Sequence, residues 1–179
     1  MRKIIVYIAT SADGFIARPN GDVEWLNRPR TAGDYGMGDF YRSVDTVVMG
    51  RKTYDVGRKL GQSHYRGKKN YVLSRKRAPH RPQDVEFVSC AIPKFATQLR
   101  RTDGRDIWLV GGAKTIAGFL DAGHIDEFVI HVIPVFIGKG IPLIAARHRL
   151  TQLKLLGTKT FKDGVVRLHY SVAQRAASA

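Results

Sequence analysis

The chain has 179 residues and a single cysteine, Cys90, so no disulfide forms within it. A protein without disulfides is typical of a reducing compartment, and we expect this one to reside in the cytoplasm. Cys90 lies just after the apolar segment 85–88. A reactive thiol needs a nearby base and positive surroundings, so this position favours a buried, inert thiol at the end of a strand.

Long hydrophobic runs are also missing. No segment approaches the roughly 18 apolar residues that a membrane-spanning helix needs. Two basic residues precede the apolar residues 4–9, but Asp13 and Asp22 follow without a longer apolar region or a small-residue cleavage site. We therefore interpret residues 4–9 as a first β-strand and expect no membrane association.

Acidic residues are scarce, with 15 Asp and Glu against 30 Lys and Arg, which gives a net charge of +15. A basic surface attracts phosphorylated small molecules and nucleic acids alike. Seven Lys or Arg lie between residues 66 and 81, near Tyr65 and Tyr71, but no known nucleic-acid-binding module accompanies them. A protein that binds nucleic acid or another polyanion is therefore an alternative, less favoured than an enzyme with a phosphorylated ligand.

Familiar nucleotide, hydrolase and metal motifs are absent. The chain has neither G-x-G-x-x-G nor G-x-x-x-x-G-K-[ST], which argues against the usual dinucleotide fingerprint and a P-loop. It has no H-E-x-x-H and no G-x-S-x-G. The six histidines show no zinc-type spacing to one another or to Cys90, so we expect no metal.

Apolar β-branched runs alternate with segments of helical spacing along most of the chain. Strands are predicted at 4–9, 46–49, 70–73, 85–88, 106–110 and 126–135, and helices at 40–44, from 51, at 92–101 and at 113–121. Two late strands, at 153–159 and 165–173, are joined by the hairpin turn Lys162-Asp163-Gly164. This order predicts one α/β domain over residues 1–173, with a mainly parallel sheet that ends in an antiparallel hairpin, followed by a flexible tail at 174–179.

Three strand-to-helix junctions carry residues suited to phosphate, because ligands of open α/β sheets bind beyond the carboxyl ends of strands. The first is Gly50-Arg51-Lys52-Thr53. Gly50 allows the backbone to approach a ligand, Arg51 offers two N–H groups, and Thr53 adds an N–H and a hydroxyl. A plain turn with a capping threonine is the alternative.

The second junction is Val110-Gly111-Gly112-Ala113-Lys114-Thr115. Paired glycines leave room for a pyrophosphate, and the helix that follows directs its dipole toward it. The alternative is that two glycines merely ease a tight turn. The hydrophobic strand before them and the amphipathic helix after them favour the phosphate interpretation.

The third junction is Leu73-Ser74-Arg75, inside the basic cluster. A serine and an arginine at the carboxyl end of a strand are suited to a phosphate monoester. We interpret Lys76, Arg77 and Arg81 as part of a solvated basic face.

These three junctions, with Tyr54 after the first and Gly67 to Val72 before the third, resemble dihydrofolate reductase in order and spacing. The segments 11–17 and 133–143 are more similar to the reductase domain of riboflavin biosynthesis. The resemblance covers nearly the whole chain and implies a dihydrofolate reductase-like three-layer fold with helices on both faces of the sheet. It is strongest to stand-alone bacterial proteins of this superfamily.

The resemblance implies NADPH as the cofactor, extended across the sheet. Residues 50–53 would hold the pyrophosphate and the adenosine side, and residues 110–115 would close on the pyrophosphate from the other side. Ser74 and Arg75, after Leu73, would take the 2′-phosphate. Ala9 and Ile16 would flank the nicotinamide.

For the substrate, the resemblance implies an acid on the first helix. Counting back from Gly50 places Asp34 there as the catalytic candidate, with Asp39 nearby; a solvent-facing loop aspartate is the alternative. Trp25 is the candidate for a pocket-lining tryptophan. Basic residues for a substrate phosphate are Arg28, Arg30 and Arg42.

The resemblance thus predicts an NADPH-dependent oxidoreductase acting on a small heterocyclic or sugar-derived substrate, similar to 5-amino-6-(5-phosphoribosylamino)uracil reductase. Dihydrofolate reductase activity is an alternative, which the segment 134–140 disfavours. A polyanion-binding protein on an inactive reductase fold is the alternative from another class. The resemblance also implies a homodimer formed through the late strands, for which the apolar stretch 128–143 is a candidate.

Overall fold

The computed structural model describes residues 1–28, 33–62, 64–76 and 82–173. Its strands are β1 (Ile4–Ser11), β2 (Phe15–Ala17), β3 (Val44–Gly50), β4 (Lys69–Leu73), β5 (Val85–Val88), β6 (Asp106–Gly111), β7 (Glu127–Ile133), β8 (Ile141–Pro142), β9 (Leu153–Thr160) and β10 (Val166–Val172). Its α-helices are α1 (Met37–Ser43), α2 (Arg51–Lys59), α3 (Ile92–Arg101) and α4 (Ala113–Asp121). Arg30, Arg77, Arg81 and the predicted tail lie outside the described residues.

Eight of these strands form one sheet in the order β5-β4-β3-β6-β1-β7-β10-β9. The pairs from β5 to β7 are all parallel, whereas β10 runs antiparallel to both β7 and β9. This confirms the predicted parallel sheet with an antiparallel hairpin at its end. The two short strands β2 and β8 pair with each other outside the main sheet.

The central strands are buried on both faces, as their continuous apolar runs predict. In β1, Ile4 and Val6 are fully buried on one face, and Ile5 and Tyr7 are 7% exposed on the other. Ile4 and Val6 belong to one hydrophobic cluster and Ile5 and Tyr7 to a second. The sheet therefore separates two cores.

Helices cover both cores, which confirms the predicted three-layer arrangement. Phe95 of α3 and Phe119 of α4 pack in the cluster that contains Ile4. Tyr54 of α2 packs in the cluster that contains Ile5, and Phe40 of α1 lies against it. In the described part of the chain, no helix is long and apolar enough to cross a membrane.

The expectation of a buried Cys90 is wrong, because its side chain is exposed. β5 ends at Val88, two residues before it, and is the edge strand of the sheet, so no neighbouring strand covers that position.

Candidate functional site

The three predicted junctions lie side by side at one edge of the sheet. The strands β4, β3, β6 and β1 are parallel neighbours in that order, so their carboxyl ends share that edge. Leu73, Gly50 and Gly111 end the first three of these strands. The fold therefore brings together, in a line, residues that are up to 61 positions apart in sequence, as Gly50 and Gly111 are.

The first two junctions are in close contact. A Cβ atom at Gly50 would lie 2.4 Å from the Thr115 Oγ1 atom. A Cβ atom at Gly112 would lie 3.3 Å from Thr53 Oγ1 and 3.9 Å from Ile16 Cδ1. We call these five residues the glycine cradle. Only residues without a side chain allow the two threonine hydroxyls to lie this close to the backbone at Gly50 and Gly112.

Gly111, between these two junction contacts, is a glycine for a different reason. Its φ angle is +121°, a backbone conformation that side chains disfavour, and a Cβ there would lie 3.4 Å from Ile116. The peptide bond that follows, between Gly111 and Gly112, is cis.

Two helices begin at the cradle with uncapped N-termini. The N-cap residues of α2 and α4 are Gly50 and Gly112, and neither helix has a side-chain hydrogen bond at its cap. Free N–H groups and the positive end of the helix dipole thus converge from two directions. This is a donor set suited to a pyrophosphate, so the residues present fit the phosphate groups of a dinucleotide.

The exposed cations Arg75 and Lys76 belong to the third junction. The Ser74 hydroxyl donates to the Lys76 carbonyl at 2.7 Å and accepts from the Lys76 N–H at 3.1 Å, which closes a tight turn. Arg75 follows Ser74 in this turn. Its charge is therefore presented to solvent at the end of β4.

Arg51 links the first junction to the third. Its Nε atom is 2.9 Å from both carboxylate oxygens of Asp55, and its Nη1 donates to the Lys76 carbonyl at 3.3 Å. Its guanidinium carbon lies 5.5 Å from the centre of the Phe87 ring. Arg51 is thus already oriented by three protein groups, toward the β4 end of the site and not toward Gly112.

A cavity of about 890 Å³ lies beside the cradle, on the α1 face of the sheet. Ala9 and Val110 form its border with the junctions, and Trp108 and Tyr65 supply aromatic walls. Further lining residues include Leu26, Arg28, Asp34, Met37, Tyr41, Gln62, His64 and Arg66. A concave, mostly apolar space with a few polar groups is the ordinary form of a small-molecule site.

The deepest polar groups of the cavity are Tyr7 and His131. The Tyr7 hydroxyl donates to the Tyr35 carbonyl at 3.1 Å, and His131 Nε2 lies 3.2 Å from the same oxygen and 3.4 Å from the hydroxyl. Burial raises the pKa of Tyr7 to about 12 and lowers the pKa of His131. Both side chains are therefore uncharged at neutral pH. His131 pairs in register with Ala9, so it lies on the side of β1 away from β6.

Asp34 lines the cavity but is exposed. Its two carboxylate oxygens accept hydrogen bonds from the Gly36 N–H at 2.9 Å and the Gly38 N–H at 2.8 Å. These bonds lower the pKa of Asp34, so it is a carboxylate at neutral pH. Asp39 and Arg42 form an exposed ion pair with each other, and neither lines the cavity.

Trp25 lies in a short 3-10 helix, Glu24–Leu26. Leu26 of this helix lines the cavity, whereas Trp25 does not. The Arg28 side chain does line the cavity, and its Nη2 donates to the Asp163 carbonyl at 2.9 Å. Its Nη1 is buried without a hydrogen-bond partner among the described residues. Arg28 is therefore better placed than Trp25 to contact a substrate in the cavity.

Sequence reasoning missed Tyr7, Tyr35 and His131. Tyr7 and His131 lie in apolar strands, where an aromatic residue or a lone histidine is typical of a core. Strand alternation could have indicated Tyr7, because the side chains of Tyr7 and Ala9 lie on the same face of the sheet. Residues in register with them on a neighbouring strand lie on that face too.

No cluster of three or more His, Cys, Asp or Glu side chains able to hold a metal ion occurs in the segments that the structure covers.

Comparison with known proteins agrees with the motifs. The family model of the RibD C-terminal domain matches residues 2–167. The uncharacterized protein YwjB of Bacillus subtilis is 40% identical over 170 residues, which cover 94% of this chain and 97% of that protein. These matches confirm the resemblance to the reductase domain of riboflavin biosynthesis.

Solved structures share the fold. A Shewanella sp. PV-4 protein whose name refers to riboflavin biosynthesis is 28% identical with a TM-score of 0.86, over 96% of this chain and 99% of that one. The diaminohydroxyphosphoribosylaminopyrimidine deaminase/5-amino-6-(5-phosphoribosylamino)uracil reductase of Thermotoga maritima is 17% identical with a TM-score of 0.74, over 96% of this chain and 57% of that one. At 17% identity, the similarity to the Thermotoga maritima protein shows a shared fold alone.

The cradle predicts a strong response to a single methyl group. Gly50→Ala places a Cβ 2.4 Å from Thr115 Oγ1, and we expect it to lower the free energy of unfolding by about 1–3 kcal/mol through overpacking. Gly157→Ala is the matched control, because its Cβ meets nothing within 4 Å, and it should not lose stability. Urea unfolding measures both. Adding Thr115→Ala to Gly50→Ala should recover part of the loss; equal stability of the two single variants would contradict the close approach.

The lowered pKa of His131 predicts a pH-dependent stability. Below the ordinary histidine pKa of 6.5 the unfolded chain binds a proton at this position while the folded chain does not, so acidification favours unfolding. Between pH 7 and pH 5, the wild type should therefore lose more stability than His131→Gln in urea unfolding. His148→Gln, at an exposed loop histidine, is the control. Equal losses in the wild type and His131→Gln would show that His131 is not held uncharged by burial.

Proposed function

Because this chain belongs to the RibD C-terminal domain family, we propose that it is an NADPH-dependent reductase acting on a small heterocyclic or sugar-derived substrate. The family is a reductase domain, which supports an oxidoreductase in general terms. The glycine cradle is the observation that supports a dinucleotide, since it places two uncapped helix N-termini and two threonine hydroxyls side by side.

The order of the strands suggests how the cofactor would be held. Ser74 and Arg75 at the end of β4 would take the 2′-phosphate, with Leu73 beneath the adenosine. The first and second junctions, residues 50–53 and 110–115, would hold the pyrophosphate, with the exposed Lys52 and Lys114 adding positive charge. Ala9 and Ile16 would flank the nicotinamide. The last strand in this line, β1, borders the cavity, so the reactive end would face the substrate.

NADPH supplies a hydride when it is bound; the protein supplies position and a pocket from which water is excluded. Tyr65 and Trp108, whose ring centres are 4.6 Å apart, form an aromatic wall suited to a flat heterocycle. The Tyr7 hydroxyl already donates to the Tyr35 carbonyl, so its oxygen would accept a hydrogen bond from a substrate N–H group. Asp34, the catalytic candidate, would act as a carboxylate that accepts hydrogen bonds from substrate N–H groups.

Among substrates, a phosphorylated ribosylamine of a pyrimidine is the first to test, because the Thermotoga maritima relative is named for one. Arg28 lines the cavity, and its Nη1 has no hydrogen-bond partner among the described residues. It would bind an anionic group of the substrate there. Dihydrofolate is the second substrate to test, and robust turnover of it would contradict this preference.

The assignment of the 2′-phosphate predicts a selective loss in Arg75→Gln. A charged hydrogen bond contributes about 1.5–3 kcal/mol, so NADPH should bind roughly ten- to a hundredfold more weakly while NADH is almost unaffected. Arg101→Gln, an exposed arginine at the end of α3, removes the same charge elsewhere and is the control. Calorimetric titration measures the affinity of each of the two variants for NADPH and for NADH, relative to the wild type. If NADPH and NADH weaken equally in Arg75→Gln, the 2′-phosphate lies elsewhere.

We further propose that the chain pairs with a second copy through β9. All eight residues of this edge strand are exposed, and Leu153, Leu155 and Leu156 are 44%, 53% and 48% exposed. A long edge strand with apolar side chains is normally covered in a soluble protein. A two-fold axis beside it would pair the strand with its own copy and bury the same leucines twice.

The dimer proposal is tested by light scattering coupled to gel filtration. The wild type should have twice the mass of the chain, and Leu155→Lys should have the mass of one chain, because a charge would be buried at the interface. Leu60→Lys changes an exposed leucine at the end of α2 and should leave the dimer intact. A monomeric wild type, or a dimeric Leu155→Lys, would rule out pairing through β9.

A further inference from the structure

The segment between β7 and β8 folds back over the turn between β1 and β2. The Ala12 N–H donates to the Val135 carbonyl at 2.8 Å, and the Leu143 N–H donates to the Gly14 carbonyl at 3.1 Å. Between these two bonds, residues 136–140 cross the turn. We call residues 134–143 the crossing loop.

One carboxylate holds the centre of this contact. Asp13 accepts hydrogen bonds from the Gly138 N–H at 2.7 Å and from the Ile137 N–H at 3.2 Å. The Ser11 hydroxyl donates to the same carboxylate and accepts from the Phe15 N–H at 3.0 Å. Asp13 therefore joins the end of β1, the start of β2 and the crossing loop.

The charge of Asp13 is part of this arrangement. The hydrogen bonds from Ser11, Gly138 and Ile137 lower the pKa of Asp13, so it is ionised at neutral pH. Hydrogen bonds to a charged acceptor are roughly twice as strong as neutral ones. No Lys or Arg forms an ion pair with Asp13 in the described segments, so these donors balance its charge.

The crossing loop in turn fixes β2. Phe15 and Ala17 pair with Pro142 and Ile141. A Cβ atom at Gly140 would lie 2.3 Å from the Ala17 carbonyl oxygen, so the loop packs directly on the strand. Ile16 lies between these two pairs, and its Cδ1 atom is 3.9 Å from the position that a Cβ atom at Gly112 would take. The position of Ile16 thus depends on the loop that Asp13 holds.

The same segment reaches the second junction. Just beyond the crossing loop, the Ala145 N–H donates to the carbonyl of Ala113, the first residue of α4, at 3.2 Å. The crossing loop and Ala145 just after it therefore contact both the β2 strand that carries Ile16 and the start of α4. The β4 end of the site, with Ser74 and Arg75, is separated from it by β3 and β6.

We propose that Asp13 is a positioning residue for one end of the cofactor site: by holding the crossing loop against β2, it places Ile16 where the nicotinamide binds. The inference rests on the proposed NADPH site and adds a residue that does not itself touch the cofactor. It assigns Asp13 to the nicotinamide end alone, since the adenosine end lies on β3 and β4.

The test compares two ligands on the intact chain, NADPH and adenosine 2′,5′-bisphosphate, which carries the 2′-phosphate but no nicotinamide. In Asp13→Asn the carboxylate becomes an amide, whose N–H₂ group opposes the backbone donors. If Ile16 then occupies its place about a tenth of the time, NADPH binds about tenfold more weakly. The affinity for adenosine 2′,5′-bisphosphate should stay within about twofold of the wild type. Asp103→Asn, at an exposed loop position, is the control.

A second variant guards against a folding defect. Ser11→Ala keeps the carboxylate and its two backbone donors, so we expect a smaller loss of NADPH affinity in the same direction. Unchanged NADPH affinity in Asp13→Asn would overturn the inference. So would an equal loss for both ligands, which would make Asp13 a general determinant of stability. A wild type that binds neither ligand would instead refute the NADPH site itself.

Discussion

The candidate site depends on how closely the carboxyl end of β3 approaches the first turn of α4, which follows the neighbouring strand β6. The approach is so tight that a methyl group at Gly50 would meet Thr115 at 2.4 Å. Because the two strands are parallel neighbours, the helices that follow them both begin at this point. Two sets of free N–H groups and the hydroxyls of Thr53 and Thr115 therefore converge at one place. One helix N-terminus suits one phosphate, and two side by side suit the pyrophosphate of a dinucleotide.

The cavity and the cradle differ in character, and Ala9 and Val110 lie at the border between the cavity and the junctions. On the cradle side, backbone donors and exposed cations suit an anion. On the cavity side, burial keeps Tyr7 and His131 uncharged beside aromatic walls. A largely apolar pocket next to an anion site is suited to hydride transfer, because the transferring atoms are shielded from water while the charged part of the cofactor is held outside.

Much of the fold was predictable from local pattern, because each buried strand and each amphipathic helix has its own periodicity. α3 and α4 begin and end where their apolar spacing predicts. α1 begins three residues before the predicted start at 40, because the carboxylate of Asp34 binds the Gly36 and Gly38 N–H groups and sets an earlier first turn. The two-stranded pair β2–β8 was not predictable, since two or three residues carry no period. The Tyr7–His131 contact depends on strand register across 124 positions, which a single sequence does not encode locally.

The most direct test of the account is a calorimetric titration of the wild-type protein with NADPH and, separately, with NADH. We expect NADPH to bind at least about tenfold more tightly than NADH, because only NADPH carries the group that Ser74 and Arg75 would hold. Equal affinities would leave a dinucleotide site without the proposed 2′-phosphate contact. No binding of either cofactor would contradict the central claim that the glycine cradle is a cofactor site.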